Sequence, residues 1–383
     1  MAKVVFERVT KIFGQDVAID DLSFECEEGE FFVILGPSGA GKTTILNLIA
    51  GLEEATRGKI WIGDKVVNDL EPRFRDVAYA FENYFLYPHL NVYDNISFPL
   101  RSPVRKHERT EEEIRSSVLE ITTTLQIEHL LQRKITQLSG GQKQRVALAR
   151  TLTRNPAAYL LDEAIAHLDS KLRHSIRSVL KGYQQDKGIT TIYATPDQLD
   201  AVAMCDRLII IRSGRMEHMG DAEDAYRFPA NEFVATYVGY PPMNIFRAAL
   251  VAEGEDLNVK LNGSGIRLPE EIKRSVEGGV KDREIDIGIR PHDIELSEEE
   301  TAGVLNMPAE VDMIEHYGDF RVVHFNIDGS DVRVRTGPET AVQAGQRVWL
   351  KADSDKFYLF RSDNGQTVWP SAPSTPVRRS TVA

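Results

Sequence analysis

Residues 31–43 read Phe-Phe-Val-Ile-Leu-Gly-Pro-Ser-Gly-Ala-Gly-Lys-Thr. The apolar run Phe31–Leu35 has the length and composition of a strand buried on both faces. It breaks into Gly36-Pro37-Ser38-Gly39-Ala40-Gly41-Lys42-Thr43, a full G-x-x-x-x-G-K-T motif, and a helical pattern follows over 42–51. Strand, glycine-rich loop and helix start, in that order, form a phosphate cradle. The glycines let backbone N–H groups turn toward a β-phosphate, and the helix N-terminus adds partial positive charge. Lys42 is expected to reach the β- and γ-phosphates, and the Thr43 hydroxyl to bind Mg²⁺. Thr44 completes the nucleotide-binding set.

Working outward, β-rich runs at 77–81, 158–162, 190–195 and 208–212 alternate with helical patterns at 110–125, 142–153, 170–185 and 197–205. Buried strands alternating with amphipathic helices predict an α/β domain with a mostly parallel sheet. Thr110 and Glu113 have capping-box spacing at a helix start. After Gly239-Tyr-Pro-Pro242 the texture changes to short strands at 257–261, 285–289, 321–327, 331–335, 347–351 and 356–360. Asn262-Gly263, Asp328-Gly329 and Gly337-Pro338 punctuate them, as expected of a small all-β, OB-like barrel. The reading is thus an α/β domain over 1–240 with a helical subdomain at about 83–155, an OB-like domain over 241–367, and a disordered Pro/Ser/Thr-rich tail over 368–383.

Composition agrees. The chain has 383 residues, 42% apolar and 27% charged, as in a soluble globular protein of two or three domains. Lys+Arg is 46 against 58 Asp+Glu, a net charge of -12. That acidity disfavours a DNA-coating role, and no nucleic-acid partner is expected. Cys26 and Cys205 are the two cysteines, too few for a disulfide framework or a zinc site. They read as reduced thiols of a cytoplasmic protein. No apolar run approaches the roughly 18–20 residues of a membrane span, and the start lacks a signal-peptide core. Work at a membrane would require docking through a partner.

Two further motifs carry chemistry. Tyr159-Leu-Leu-Asp162-Glu163 closes a strand with two carboxylates: Asp162 to hold Mg²⁺ through water, Glu163 to polarise an attacking water. Leu138-Ser139-Gly140-Gly141-Gln142 makes a second anion-binding helix start. One nucleotide needs one cradle, so a second implies a site completed by another chain. With these residues in order, the sequence resembles the ABC ATPase family, whose signature is the run 138–150, LSGGQKQRVALAR. Ala166-His-Leu-Asp169 and Lys171-Leu-Arg173 follow in family order, Asp169 belonging to the loop that crosses the dimer. Phe13 lies where the family stacks an aromatic on adenine; the alternative is a strand core residue. The run 85–90, Asn244-Ile-Phe246 and Gly288-Ile-Arg-Pro-His292 resemble the carbohydrate-importer branch, over about 4–360. The resemblance implies ATP and Mg²⁺ as cofactors, and a peripheral place on the cytoplasmic face of the membrane. It also implies a second ATPase subunit, two permease subunits and an extracytoplasmic binding protein. Residues 82–96 would receive a permease coupling helix, though Tyr84, Phe85 and Tyr87 could equally be helix core.

Three positions depart from the family. Its γ-phosphate histidine is here Pro196, which has no donor. Thr195 is expected to cap the next helix, with Pro196 at its first position. The family's Mg²⁺-ligating glutamine is here Glu82, which can still ligate but loses the amide donor. Ala166 replaces a usual serine, and His167 reads as an interface histidine rather than a substitute base. Glu163, Glu82 and Pro196 are therefore the positions that set catalysis, and the site is expected to be the impaired half of a heterodimer. A slow homodimer and a non-hydrolysing nucleotide sensor are the alternatives. Arg290 and His292 read as surface positions, or less readily as a polar pocket.

Overall fold

The chain opens with two strands, β1 (Val4–Phe13) and β2 (Asp16–Cys26). It continues through β3 (Phe31–Leu35), α1 (Lys42–Ala50), β4 (Arg57–Ile62), β5 (Lys65–Val66) and β6 (Val77–Ala80). Next come α2 (Val92–Ser97), α3 (Glu111–Thr124), α4 (Gly140–Leu152), β7 (Ala158–Asp162) and α5 (Ser170–Lys187). The unit closes with β8 (Thr190–Thr195), α6 (Gln198–Met204), β9 (Arg207–Arg212) and β10 (Arg215–Gly220). The structure, a computed structural model, describes residues 2–101, 109–253, 256–261, 264–279, 284–300 and 305–370.

A six-stranded sheet has the order β10-β9-β3-β8-β7-β6, parallel except for β10. Every residue of β3, β7 and β8 is buried, which is why these strands read as continuous apolar runs rather than alternating ones. An antiparallel sheet, β2-β1-β4-β5, shares a core with α1 and this parallel sheet. Phe24 stacks on Phe6 at 4.6 Å and on Phe32 at 5.3 Å, joining the two sheets through rings. The helices α2, α3 and α4 pack on one another, and α3 begins with the expected Thr110/Glu113 capping box.

The contact boundary between the two units falls at Ala222/Glu223, ahead of the compositional change near 240. The second unit holds α7 (Ala222–Arg227), α8 (Glu232–Tyr237), β11 (Asn244–Glu253), β12 (Asp256–Leu261), β13 (Ser264–Arg267), α9 (Glu270–Gly279) and β14 (Glu284–Ile289). It ends with β15 (Glu295–Ser297), β16 (Leu305–His316), β17 (Arg321–Ile327), β18 (Ser330–Thr336), β19 (Arg347–Ala352), β20 (Tyr358–Arg361) and β21 (Thr367–Trp369). They form sheets β13-β12-β11-β14-β20-β21 and β15-β19-β16-β17-β18 around one apolar core.

Several expectations are corrected here. The unit is not purely β, because α9 packs Ile272 and Val276 into its core. Residues 368 and 369 belong to β21 rather than to a tail; the rest of the tail expected to be disordered, 371–383, lies outside the described residues, as does the Asn262-Gly263 turn. Arg290 is buried, only 1% exposed. Its guanidinium lies over the Tyr226 ring at 4.0 Å and donates to the carbonyls of Ala235, Val238 and Tyr226. Those acceptors, on and beside α7 and α8, are what make an arginine tolerable there.

Candidate nucleotide site

Parallel pairing brings distant residues together. The strands β3, β8, β7 and β6 are successive neighbours, and Leu35 pairs with Thr195, Asp162 with Ala194, and Ala80 with Leu161. Their C-terminal ends therefore carry Gly36, Pro196, Glu163 and Glu82 to one edge of the sheet. That edge is where open α/β sheets bind ligands.

The loop after β3 is tightly built. A Cβ on Gly36 would stand 2.4 Å from the Ile211 carbonyl oxygen. Gly41, at φ 105°, caps α1, and a Cβ there would meet the Ile19 side chain at 2.8 Å. Only glycine meets both demands, which explains the motif's ends. A cavity of about 600 Å³ is lined by Ser38, Gly39, Gly41, Lys42, Thr43 and Thr44, with Glu82 and Glu163 also facing it. Ala40 accepts from Gly214 N–H and donates to the Pro37 carbonyl, so Gly36, Pro37 and Ala40 back the loop. The Lys42 ammonium is buried and donates to the Gly36 and Pro37 carbonyls at 2.9 and 3.0 Å. It stands 3.9 Å from Glu163 Oε1. Burial lowers its pKa, while Glu163, Asp162 and Glu82 pull the other way. A polyphosphate entering this cavity would find a poorly hydrated cation waiting for it.

The carboxylates are tuned by the same burial. Asp162, 2% exposed, has its pKa pushed up to about 6, chiefly by desolvation; the Thr43 hydroxyl opposes, and Glu163 and Glu82 reinforce. Tyr79 Oη approaches Asp162 Oδ2 at 3.4 Å, whereas Oδ1 is buried with no hydrogen-bond partner. A buried carboxylate oxygen without a donor, beside a threonine hydroxyl and a phosphate cradle, suits Mg²⁺. No group of three His, Cys, Asp or Glu among the described residues could hold a metal unaided. Thr43, Asp162 and Glu82 would hold Mg²⁺ with phosphate oxygens completing its shell, and the ion would neutralise charge on those phosphates.

Glu163 has φ 46°, a left-handed backbone that a non-glycine residue adopts at a cost. Its N–H donates to the Ala194 carbonyl at 2.9 Å. Its carbonyl accepts from Ala166 N–H at 3.0 Å and from the Gln144 side-chain amide at 3.1 Å. The Gln144 oxygen accepts from His167 N–H at 3.1 Å. Burial raises the Glu163 pKa, Lys42 opposing and Glu82 reinforcing, which moves the carboxylate toward the range of a working base. Nothing in the sequence alone marks out Gln144 or Tyr79. A buried polar residue inside a helical pattern looks like any solvated one until its neighbours are known.

Other expected residues lie elsewhere. Ser139 caps α4 in a capping box with Gln142, and Leu138 to Gln142 are outside the lining of the Lys42 cavity. A Cβ on Gly140 would touch nothing, so this chain's own packing does not demand glycine there. Asp169 caps α5, accepting from Leu172 N–H. Phe13 is 43% exposed with Lys11 Nζ 4.5 Å from its ring centre, so it is not a core residue; Val17 and Ala18, not Phe13, line the cavity. The helix-core alternative for Tyr84, Phe85 and Tyr87 fails, because they lie between β6 and α2 outside any helix, and Phe85 is 63% exposed. Thr195 is not the α6 cap. Asp197 takes that position, accepting from Leu199 and Asp200 N–H, so Pro196 precedes the helix; Thr195 Oγ1 instead accepts from Asp197 N–H. A carboxylate one residue into the turn outcompetes the hydroxyl.

Residues 19–166 match the ABC transporter family, residues 239–294 the MalK OB fold domain, and residues 287–360 the TOBE domain. The chain is 40% identical to the trehalose/maltose import ATP-binding protein MalK of Thermococcus litoralis, covering 96% of this chain and all of that one. It is 38% identical to the sn-glycerol-3-phosphate import ATP-binding protein UgpC 3 of Agrobacterium fabrum, over 94% of this chain and 98% of that one. In structure it is similar to the dimeric ABC transporter cassette MJ0796, with a TM-score of 0.53 and 32% identity over 57% of this chain and 98% of that one. The same cassette in a post-hydrolysis state bound to ADP and Pi gives a TM-score of 0.52. This chain belongs to the ABC transporter ATPases, in the group of importer ATP-binding subunits that includes MalK and UgpC.

Proposed function

We propose that this chain is the ATP-binding subunit of an importer for carbohydrates or related polyols. It energises transport by closing on ATP against a second ATPase subunit. Two transmembrane permease subunits and an extracytoplasmic solute-binding protein complete the system, with this chain on the cytoplasmic face. The relatives' names support the solute class. Among the described residues no helix is long and apolar enough to cross a membrane, so the reading assigns membrane crossing to partner chains. Within the chain, Lys42 and the loop N–H groups bind and orient the phosphates, Glu163 takes a proton from the attacking water, and Phe13 stacks on the base. The open face of Gly140, with Ser139 and Gln142, is offered to the nucleotide of the second subunit, and Asp169 to the cross-dimer contact.

We further propose that this subunit's own site is the impaired half of a heterodimer. Pro196 carries the reading: it follows β8 beside the P-loop strand, where the family supplies a γ-phosphate donor and proline has none. Losing one such donor typically lowers the rate about 10²–10³-fold. The test is turnover by the purified chain, alone and with a second ATPase subunit encoded beside it. Little turnover alone, restored in the mixture, is expected; brisk hydrolysis by the chain alone would overturn the heterodimer. A slow homodimer is favoured by one observation, that Lys42, Asp162 and Glu163 are all in place. In that case Pro196→His accelerates the homodimer.

A further inference from the structure

The loop after β6 holds two consecutive non-glycine residues in the left-handed region, Tyr84 at φ 63° and Phe85 at φ 41°. One such residue is uncommon; two in succession persist only when neighbours fix them. Local bonds do part of this: Tyr84 N–H donates to the Phe81 carbonyl at 3.1 Å, and Phe85 N–H to the Asn83 carbonyl at 2.7 Å. The carbonyls of the same two residues are taken by one side chain. Arg150 Nη2 donates to Tyr84 O at 2.9 Å and Nη1 to Phe85 O at 2.8 Å. Its guanidinium lies 5.6 Å from the Tyr87 ring centre, and burial lowers its pKa. A partly buried cation is thus used to grip backbone.

Arg150 sits in the last turn of α4, the helix that Ser139 begins. Thirteen helical residues span about 20 Å as one rigid element. Two residues before Tyr84 is Glu82, in the lining of the phosphate cavity. We propose that Arg150 is a positioning residue: its fork holds the strained Tyr84–Phe85 turn, fixes Glu82 at the cavity, and ties both to the signature helix. This rests on the reading that Glu82 helps hold Mg²⁺ and that the signature meets a second subunit's nucleotide. Lysine cannot replace arginine here, because an ammonium lacks two parallel donors in a fixed plane.

The test uses the full-length chain and needs no turnover. In Arg150→Lys, amide exchange at residues 82–87 should rise at least tenfold while α1 and α4 keep their protection. The Mg²⁺ concentration giving half of the ATP-induced thermal shift should rise about three- to tenfold, with the shift by ATP in EDTA unchanged. Arg150→Met should move both readouts further in the same direction. Adding Phe85→Gly to Arg150→Lys should bring the Mg²⁺ requirement back to within about twofold of the parent, since glycine accepts a positive φ without strain. An unchanged Mg²⁺ requirement, protection lost evenly through α4, or no rescue by glycine overturns the proposal. None of these readouts depends on hydrolysis, so a failed heterodimer test leaves them standing.

Discussion

The side-chain amide of Gln144 donates to the backbone carbonyl of Glu163 at 3.1 Å, joining the signature helix to the carboxylate that faces Lys42. Its oxygen accepts from His167 N–H, so one buried amide, 2% exposed, fills two backbone needs. In Gln144→Leu the His167 N–H loses its acceptor and the Glu163 carbonyl keeps only its bond from Ala166 N–H, so unfolding free energy should fall by about 1–3 kcal/mol in urea denaturation. Gln144→Glu keeps an acceptor for His167 but sets a buried carboxylate against the Glu163 carbonyl, so at neutral pH it should be at least as destabilising as Leu. Equal stability of all three proteins would show that the two contacts carry no weight.

Lys42 touches the Gly36 and Pro37 carbonyls and comes near Glu163, and burial makes its charge costly. Lys42→Ala should therefore leave the thermal midpoint without nucleotide within a few degrees of the parent. It should abolish most of the ATP-induced shift, because the loop keeps its N–H groups but loses the cation. Differential scanning fluorimetry with and without ATP checks both halves.

Asp162 gives a pH dependence with a definite sign. Its pKa is about 6 in the fold, against 3.8 for the free group. The folded state therefore binds the proton more tightly. The resulting stability is fully present below about pH 3.8 and is lost as pH rises through about 6. Above that, the buried charge weakens the ligand-free fold by up to about 3 kcal/mol. Asp162→Asn should raise the thermal midpoint of the ligand-free protein at pH 7.5, flatten its fall between pH 4 and 6, and remove the extra stabilisation that Mg²⁺ adds to ATP.

Arg290 fixes α7 and α8 within the second unit by gripping three carbonyls. Replacing it by Leu leaves those acceptors buried and should destabilise this unit by about 3 kcal/mol or more. Trp349 and Trp369 lie in that unit and Trp61 in the other. Tryptophan fluorescence during heating should therefore show an earlier transition carried mainly by Trp349 and Trp369. A transition unchanged from the parent would mean that water replaces the arginine without loss.

Local chemistry made much of this molecule legible in the amino-acid order. The β3–loop–α1 unit, the buried strands β7 and β8 and the Thr110 capping box follow from apolar runs, glycine spacing and cap residues, each complete within a few positions. So does the phosphate-cradle reading of Lys42 and Thr43, because such a cradle is built from neighbours in sequence, whereas Asp162 and Glu163 show there only as two carboxylates closing a strand. Pairing and burial were decided elsewhere. The order β3-β8-β7-β6 sets Pro196, Glu163 and Glu82 beside the P-loop, and nothing near any one of them encodes that adjacency. Arg290 reads as a surface residue until Tyr226, Ala235 and Val238 enclose it. Gln144 and Arg150 read as the polar face of a helix until the carbonyls of Glu163, Tyr84 and Phe85 meet them. Whether a polar side chain faces water or a backbone oxygen depends on residues tens of positions away, and only the packed chain supplies them.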